Sequence, residues 1–402
     1  MSGLFRRRVL LRENEIRPRY DVVVVGGGGH GLAIAYNLAR RHGIRDVGVF
    51  ERAYIGAGGS GRNTTVLRAN YKTPETIPFY KASFDLYRTL SQELDLNLLF
   101  SPRGLLWLAH SEGSLRLQRE RALLNQAFGV DTVFLGPQEV KDVCPVLDLA
   151  GGGHHPVLGA AYHPPGSIIR HDAVVWGYAA AAQRLGVHVH QGVEVTGIEV
   201  EDGRCTGIET SRGRVAAGAV VCAAGGYVTT VADMAGVRLP IVTHPLQAFV
   251  TESVKPVLDR IVASADLLVY ISQSARGELL AGAEIERYSS YSTRSTFTFL
   301  QEAASRCIDL FPWMAKLRIL RQWTGLCDMT PDYSPLMGVT EVEGFYVNAG
   351  WGTWGFKATP IAGVTMAELV ATGKVPELIA PFRLDRFRDD RAVSERASAG
   401  TH

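Results

Sequence analysis

The sequence contains no Cys-x-x-Cys pair, and its five cysteines (Cys144, Cys205, Cys222, Cys307 and Cys327) are odd in number. Both facts argue against a disulfide framework and against a structural zinc site. An excess of one charge is also missing: 42 basic side chains face 40 acidic ones, without the surplus of a nucleic-acid binder. Apolar runs stay strand-length, as at residues 22–25 and 267–271, far short of the ~20 residues of a membrane-spanning helix. The opening segment carries Arg6, Arg7, Arg8, Arg12, Arg17 and Arg19, yet no apolar core of about 7–15 residues follows it. Glu13 and Glu15 are out of place in an organelle-targeting peptide. A cytoplasmic chain is expected, with residues 1–19 and 388–402 as loose tails.

Glycine, by contrast, is plentiful at 43 residues, and 46% of the chain is hydrophobic. A length of 402 residues suits two domains of about 100–200 residues each. Residues 20–25 (Tyr-Asp-Val-Val-Val-Val) read as a buried parallel strand, and residues 32–41 show helical spacing of apolar positions. Between them lies Gly26-Gly27-Gly28-Gly29-His30-Gly31, in which Gly26, Gly28 and Gly31 fill G-x-G-x-x-G in its strand–turn–helix setting. Glycine lets the backbone approach a pyrophosphate, and the helix start offers free N–H groups and a positive dipole end. A second strand at residues 47–50 ends in Glu51, a carboxylate placed to accept ribose hydroxyls.

The choice between NAD and FAD comes from further along. Residues 187–190, 193–200, 205–210 and 214–216 read as short strands joined by tight turns such as Asp202-Gly203. A strand at 219–222 then runs into Ala223-Ala224-Gly225-Gly226. A return to the dinucleotide sheet after a β-meander is the layout of FAD-binding chains. Residues 345–348 lead into Ala349-Gly350-Trp351-Gly352 and a helix expected from about Thr359, a further close approach of backbone to flavin. The expected fold class is α/β: an FAD-binding Rossmann-like domain with a discontinuous α+β substrate domain. The FAD-binding part is expected at residues 20–75, 160–243 and 325–387, and the substrate part at 76–159 and 244–324. Helices are expected at 76–94, 113–128 and 295–310, with strands at 105–109, 246–251, 267–273 and 278–283.

Four segments carry a more specific likeness: Gly28-Gly29-His30-Gly31, Gly61-Arg62-Asn63-Thr64-Thr65, Arg170-His171-Asp172-Ala173 and Gly355-Phe356-Lys357-Ala358-Thr359-Pro360. Through them the chain resembles the β subunits of heterotetrameric sarcosine oxidases, within the D-amino-acid-oxidase-like flavoproteins, which implies an FAD-binding domain of the D-amino-acid-oxidase and glutathione-reductase type. The likeness runs from Tyr20 to about Phe387. It implies a non-covalent FAD, a covalent FMN on one histidine, and partner α, γ and δ subunits, with NAD and tetrahydrofolate bound by the α chain. It also implies FAD contacts from Gly26, Gly28, Gly29, His30, Gly31, Glu51, Arg62, Asn63, Thr64, Val195, Gly225, Gly352, Gly355 and Lys357.

In the same resemblance His171 matches the flavin-linked histidine. Helical spacing after Ala173 sets His171 at or just before a helix N-terminus, whose positive end disfavours imidazolium and leaves a nucleophilic ring nitrogen. An amino-acid substrate brings a carboxylate, so cations are needed beside the flavin. Related amine oxidases pair an arginine and a lysine, here Arg68 and Lys357: a bidentate fork and a point charge. Trp354 stands where the family tends to have glycine and puts strict sarcosine specificity in question. His188 and His190 share a strand face but lack a third metal ligand.

The implied activity is oxidative demethylation of sarcosine, with formaldehyde or methylene-tetrahydrofolate and hydrogen peroxide as products. Two alternatives keep the fold: a dehydrogenase for proline or an opine, and a flavin-bearing assembly subunit without a substrate of its own. A hydrolase is disfavoured, because Gly58-Gly59-Ser60-Gly61-Arg62 lacks the closing glycine of a nucleophile elbow.

Overall fold

The computed structural model describes residues 11–394. Strand β1 (Arg19–Val25) feeds helix α1 (Gly29–His42), which Gly43 ends in the left-handed conformation, and the chain returns as β2 (Val47–Glu51). The helix begins inside the glycine fingerprint, three residues before the expected start. β1 and β2 run parallel, with Val22 opposite Val47. On the other flank of β1 lies β3 (Gly213–Cys222), also parallel, with Val22 opposite Ala219.

The sequence pattern suggested two short strands where β3 is one. Its first half pairs antiparallel with Arg204–Thr210 and its last residues pair parallel with Phe345–Ala349. The ladder therefore has partners throughout and does not break. Gly218 lets it pass, since a Cβ there would lie 2.8 Å from the Asp21 carbonyl oxygen. The sheet is completed by Val195–Glu201, His188–Gln191 and Leu336–Val339. α1 packs on one face together with His171–Arg184 and Gly355–Thr372, burying Leu32, Ala33, Ile34 and Leu38.

A second eight-stranded sheet draws strands from both intervals between the pieces of the first. Leu105–Ala109 pairs in parallel with Ile261–Ser264, so the early and late intervals share one ladder. Its strands cross the expected boundaries: Gly159–His163 extends past 159, Val242–Ser253 begins before 244, and β4 (Ile319–Met329) runs through 325. β4 was not anticipated. A third, three-stranded sheet of Val66–Leu67, Ser101–Pro102 and Ser167–Ile168 lies in the connections between the two.

The tails are shorter than expected. The Arg12 amide donates to Gln183 Oε1 (2.9 Å), and Gln183 Nε2 returns a bond to the Arg12 carbonyl (2.8 Å). At the other end Arg386 grips Asp332 through two nitrogens at 2.8 and 2.9 Å, both side chains being buried, and the Val393 amide donates to the same carboxylate (2.9 Å). These contacts tie down residues a charged, small-residue composition had marked as loose; Arg6, Arg7 and Arg8 lie outside the described residues. Among the described residues no helix is long and apolar enough to cross a membrane.

Candidate active site

The glycines of the fingerprint are needed for different reasons. Gly26 sits at φ +114°, and a Cβ on it would fall 2.4 Å from the Ala223 carbonyl oxygen. A Cβ on Gly31 would lie 2.0 Å from the Gly26 oxygen. Those two let the turn close on its own protein. Gly28 is different: it faces a cavity, with only Ser60 Oγ in reach of a Cβ, at 3.1 Å. The Glu51 carboxylate braces the turn from behind, accepting from the Gly27 amide (2.9 Å) and the Ala53 amide (2.9 Å).

The cavity extends from this turn to the N-terminus of helix α4 (Gly355–Thr372). Among the anticipated residues, Gly26, Gly28, His30, Arg62, Asn63, Thr64, Arg68, Gly225, Gly352, Gly355 and Lys357 line it. Gly29 and Gly31 are buried beneath the turn, and Glu51 stands outside the lining. Val195 is buried in the core of the first sheet, away from the cavity wall.

α4 starts at Gly355 rather than near Thr359, which places Lys357 in a helical first turn instead of a loop. The helix runs through Pro360 in its second turn, although a proline there gives no amide to the Phe356 carbonyl. Gly363 of α4 sits against Ala33 of α1, where a Cβ would come within 2.6 Å of the alanine methyl. That close approach brings the N-termini of two helices to one cavity. Their free N–H groups and positive ends suit a pyrophosphate and an electron-rich ring system. The open Gly28 face, the Gly225–Gly226 strand end and these helix starts thus fit the FAD expected from sequence. They are the residues that would hold it.

At the opposite end Arg68 is buried at 3% exposure. Its guanidinium lies over Tyr71 (4.1 Å to the ring centroid), with Trp107 at 5.2 Å and Trp354 at 5.5 Å. Tyr71 is in turn stacked on Tyr80 at 3.7 Å, so the surface that carries the arginine is rigid. Nη1 donates to the Asn70 carbonyl (2.6 Å). Lys357 Nζ donates to the Thr353 carbonyl (3.1 Å). Burial pushes the Lys357 ammonium down to about 7, and the Arg68 charge pushes the same way. Trp354 is buried in the wall, tilted against Tyr71 at 5.4 Å.

Several lining residues carried no signal in the sequence. Trp107 and Tyr270 come from the second sheet; Tyr270 accepts from Thr64 Oγ1 (2.9 Å), and burial pushes its phenol up to about 12. Asp328, on β4, accepts from the Gly350 amide (2.7 Å) and so holds the turn that precedes α4. Burial raises its carboxyl to about 6 against the opposing pull of the backbone N–H groups.

His171 is the first residue of helix α3 (His171–Arg184) and stands outside the lining of this cavity. Its Nδ1 is buried without a hydrogen-bond partner among the described residues. Burial pushes the ring's pKa down, with Asp172 opposing and Arg170 adding to the shift. Arg170 and Asp172 form a two-point ion pair beside it (3.0 and 2.5 Å). His188 and His190 both bond the Tyr20 hydroxyl (3.2 and 2.8 Å), and no cluster of three metal-ligating side chains occurs among the described residues.

Residues 21–369 match the family model of FAD-dependent oxidoreductases. The chain is 44% identical over 386 residues to the protein named sarcosine oxidase subunit beta of Rhodobacter capsulatus, covering 96% of this chain and 93% of the relative. It is 43% identical to the protein of the same name from an Arthrobacter species, covering 96% and 95%. Among solved structures, L-proline dehydrogenase from P. horikoshii superposes with a TM-score of 0.87 at 28% identity, covering 93% of this chain and 99% of that one.

Proposed function

Because this chain belongs to the FAD-dependent oxidoreductase family, in the company of sarcosine oxidase β subunits, we propose that it oxidatively demethylates sarcosine (N-methylglycine) to glycine as the β subunit of a cytoplasmic heterotetramer with α, γ and δ chains. The observation that carries this reading is the pair of cations at one end of the cavity. Arg68 and Lys357 are close enough for the arginine to depress the lysine, an arrangement that an incoming carboxylate relieves. Lys357 then gains its proton fully on binding, so recognition and charge neutralisation are one event. Arg68, held on Tyr71, gives the carboxylate a fixed fork. Trp107 and Trp354 line the cavity beside Arg68, with Tyr71 packed behind them, so an apolar aromatic surface would face the bound amine.

FAD, when bound, supplies the acceptor for a hydride from the N-methyl carbon. Loss of that hydride would leave the substrate as an iminium, whose hydrolysis gives glycine and formaldehyde, or whose methylene group would pass to tetrahydrofolate on the α chain with release of glycine. His171 would hold FMN covalently, and FMN would supply the chemistry that yields hydrogen peroxide. Support for that role is local: a buried ring nitrogen without a partner among the described residues, on an imidazole held neutral. The likeness to a proline dehydrogenase favours one second reading, oxidation of a cyclic secondary amino acid without oxygen as acceptor.

Rapid mixing with sarcosine without oxygen should bleach the FAD, and peroxide should form once air is admitted. Faster bleaching by proline, with no peroxide, would replace the first reading by the second. A denatured gel band of wild-type chain should fluoresce, and His171→Ala should lose that fluorescence entirely while retaining FAD. A fluorescent mutant band removes His171 from the proposal.

A further inference from the structure

The first turn of α4 is gripped from outside by three side-chain donors, one on each of three consecutive carbonyls. His30 Nε2 bonds the Gly355 oxygen (2.7 Å), the Tyr87 hydroxyl bonds the Phe356 oxygen (2.5 Å), and Ser83 Oγ bonds the Lys357 oxygen (2.6 Å). Ser83 and Tyr87 are four residues apart on helix α2 (Thr76–Glu93), hence on one face. His30 can only donate at Nε2. Burial pushes its imidazole down to about 4, so the ring is neutral, and Nδ1 is occupied as acceptor from Asn348 Nδ2 (3.1 Å).

The middle contact answers a defect in the helix. The Phe356 carbonyl would ordinarily accept from the amide four residues on, and that residue is Pro360, which has no N–H. Tyr87 supplies the missing donor, and burial raises its phenol far above neutrality, so it always carries the proton.

We propose that His30, Ser83 and Tyr87 are positioning residues: by fixing the peptide carbonyls of residues 355–357 they set where the Lys357 ammonium stands. The inference rests on Lys357 as carboxylate anchor, but the grip itself can be measured separately. Amide hydrogen exchange over the first turn of α4 in the FAD-loaded enzyme reads the grip. Acetate affinity, followed by perturbation of the flavin spectrum, reads its consequence for Lys357.

Tyr87→Phe should accelerate exchange in that turn and weaken acetate about fivefold, as expected for one lost buried hydrogen bond. Adding Pro360→Ala, which returns an N–H to the Phe356 oxygen, should restore both. In a Lys357→Met background Tyr87→Phe should change acetate affinity no further. Ser83→Ala provides a second route should Tyr87→Phe not fold, with the same expected acceleration and weakening. Unchanged exchange, failure of the Pro360→Ala rescue, or an equal loss of acetate affinity in the Lys357→Met background would overturn the proposal. Faster exchange combined with an acetate affinity indifferent to Lys357→Met would instead sink the anchor reading and leave the grip standing.

Discussion

The two ends of the cavity are built from different materials. At the glycine turn the working groups are backbone: N–H groups at a helix start, made accessible by the absence of side chains. At the Arg68–Lys357 end they are side chains from elements far apart in sequence, held by aromatic stacking and by donors on neighbouring helices. A backbone site is defined by neighbours in sequence; a side-chain site is defined by the fold. The first should therefore fail as a whole when one methyl is added, and the second should fail group by group.

The sharpest way to break the comparison is Gly31→Ala. The new methyl would meet the Gly26 carbonyl oxygen at 2.0 Å and Val24 Cγ1 at 3.1 Å, so backbone must move. A loss of roughly 1–3 kcal/mol or more in stability is expected, with FAD content falling in the same preparation. A normally melting, fully loaded variant would show that the turn tolerates displacement. Lys357→Met makes the complementary test: FAD content should stay at wild-type level while flavin reduction by limiting sarcosine slows about ten- to a hundredfold. Loss of FAD in this variant would mean that the two ends are not separable.

The pH dependence sharpens the contrast. Lys357 titrates near 7 in the folded chain and at its ordinary 10.5 when unfolded. Carboxylate binding to the free enzyme should weaken above about pH 7, by up to roughly tenfold per pH unit, and the slope should vanish in Lys357→Met. Between 7 and 10.5 the unfolded chain binds more protons, so this residue makes stability rise with pH across that window. A carboxylate affinity that is flat from pH 6 to 9 in the wild type would contradict the first statement, and a stability that does not rise between pH 7 and 9 relative to Lys357→Met would contradict the second. The smallest effect expected is one of selectivity: Trp354→Gly should leave sarcosine turnover within a few-fold and improve N-methylalanine relative to it, since the indole lies in the wall beside Tyr71 and Arg68. An unaltered substrate ranking places the indole outside the contact surface.

The same division explains what could be read from the sequence. The glycine turn, Glu51 and both flanking strands are local, and their spacing alone marks them. Lys357 and Arg68 were named only through likeness to a family, because no periodicity joins residue 68 to residue 357. Trp107, Tyr270 and Asp328 were missed for that reason: each is an ordinary strand residue until the second sheet folds against the first. The merging of two expected strands into β3 has a related cause, for a strand's length depends on partners more than a hundred residues away. Val195 sits in a sheet core, where its apolar character already accounts for it.

That continuous β3 has a consequence for how the chain is made. β1 is synthesised first, yet the strand it leans on spans residues 213–222, and the neighbour of that strand spans residues 345–349. The carboxylate of Asp332 meets its arginine only at residue 386. On a ribosome, then, the glycine turn emerges with β2 and Glu51 to brace it, but the central sheet stays unfinished until residues 345–349 have been made. The cavity that would hold the cofactor is lined by residues from 26 to 357, so its wall is complete only when residue 357 has been made.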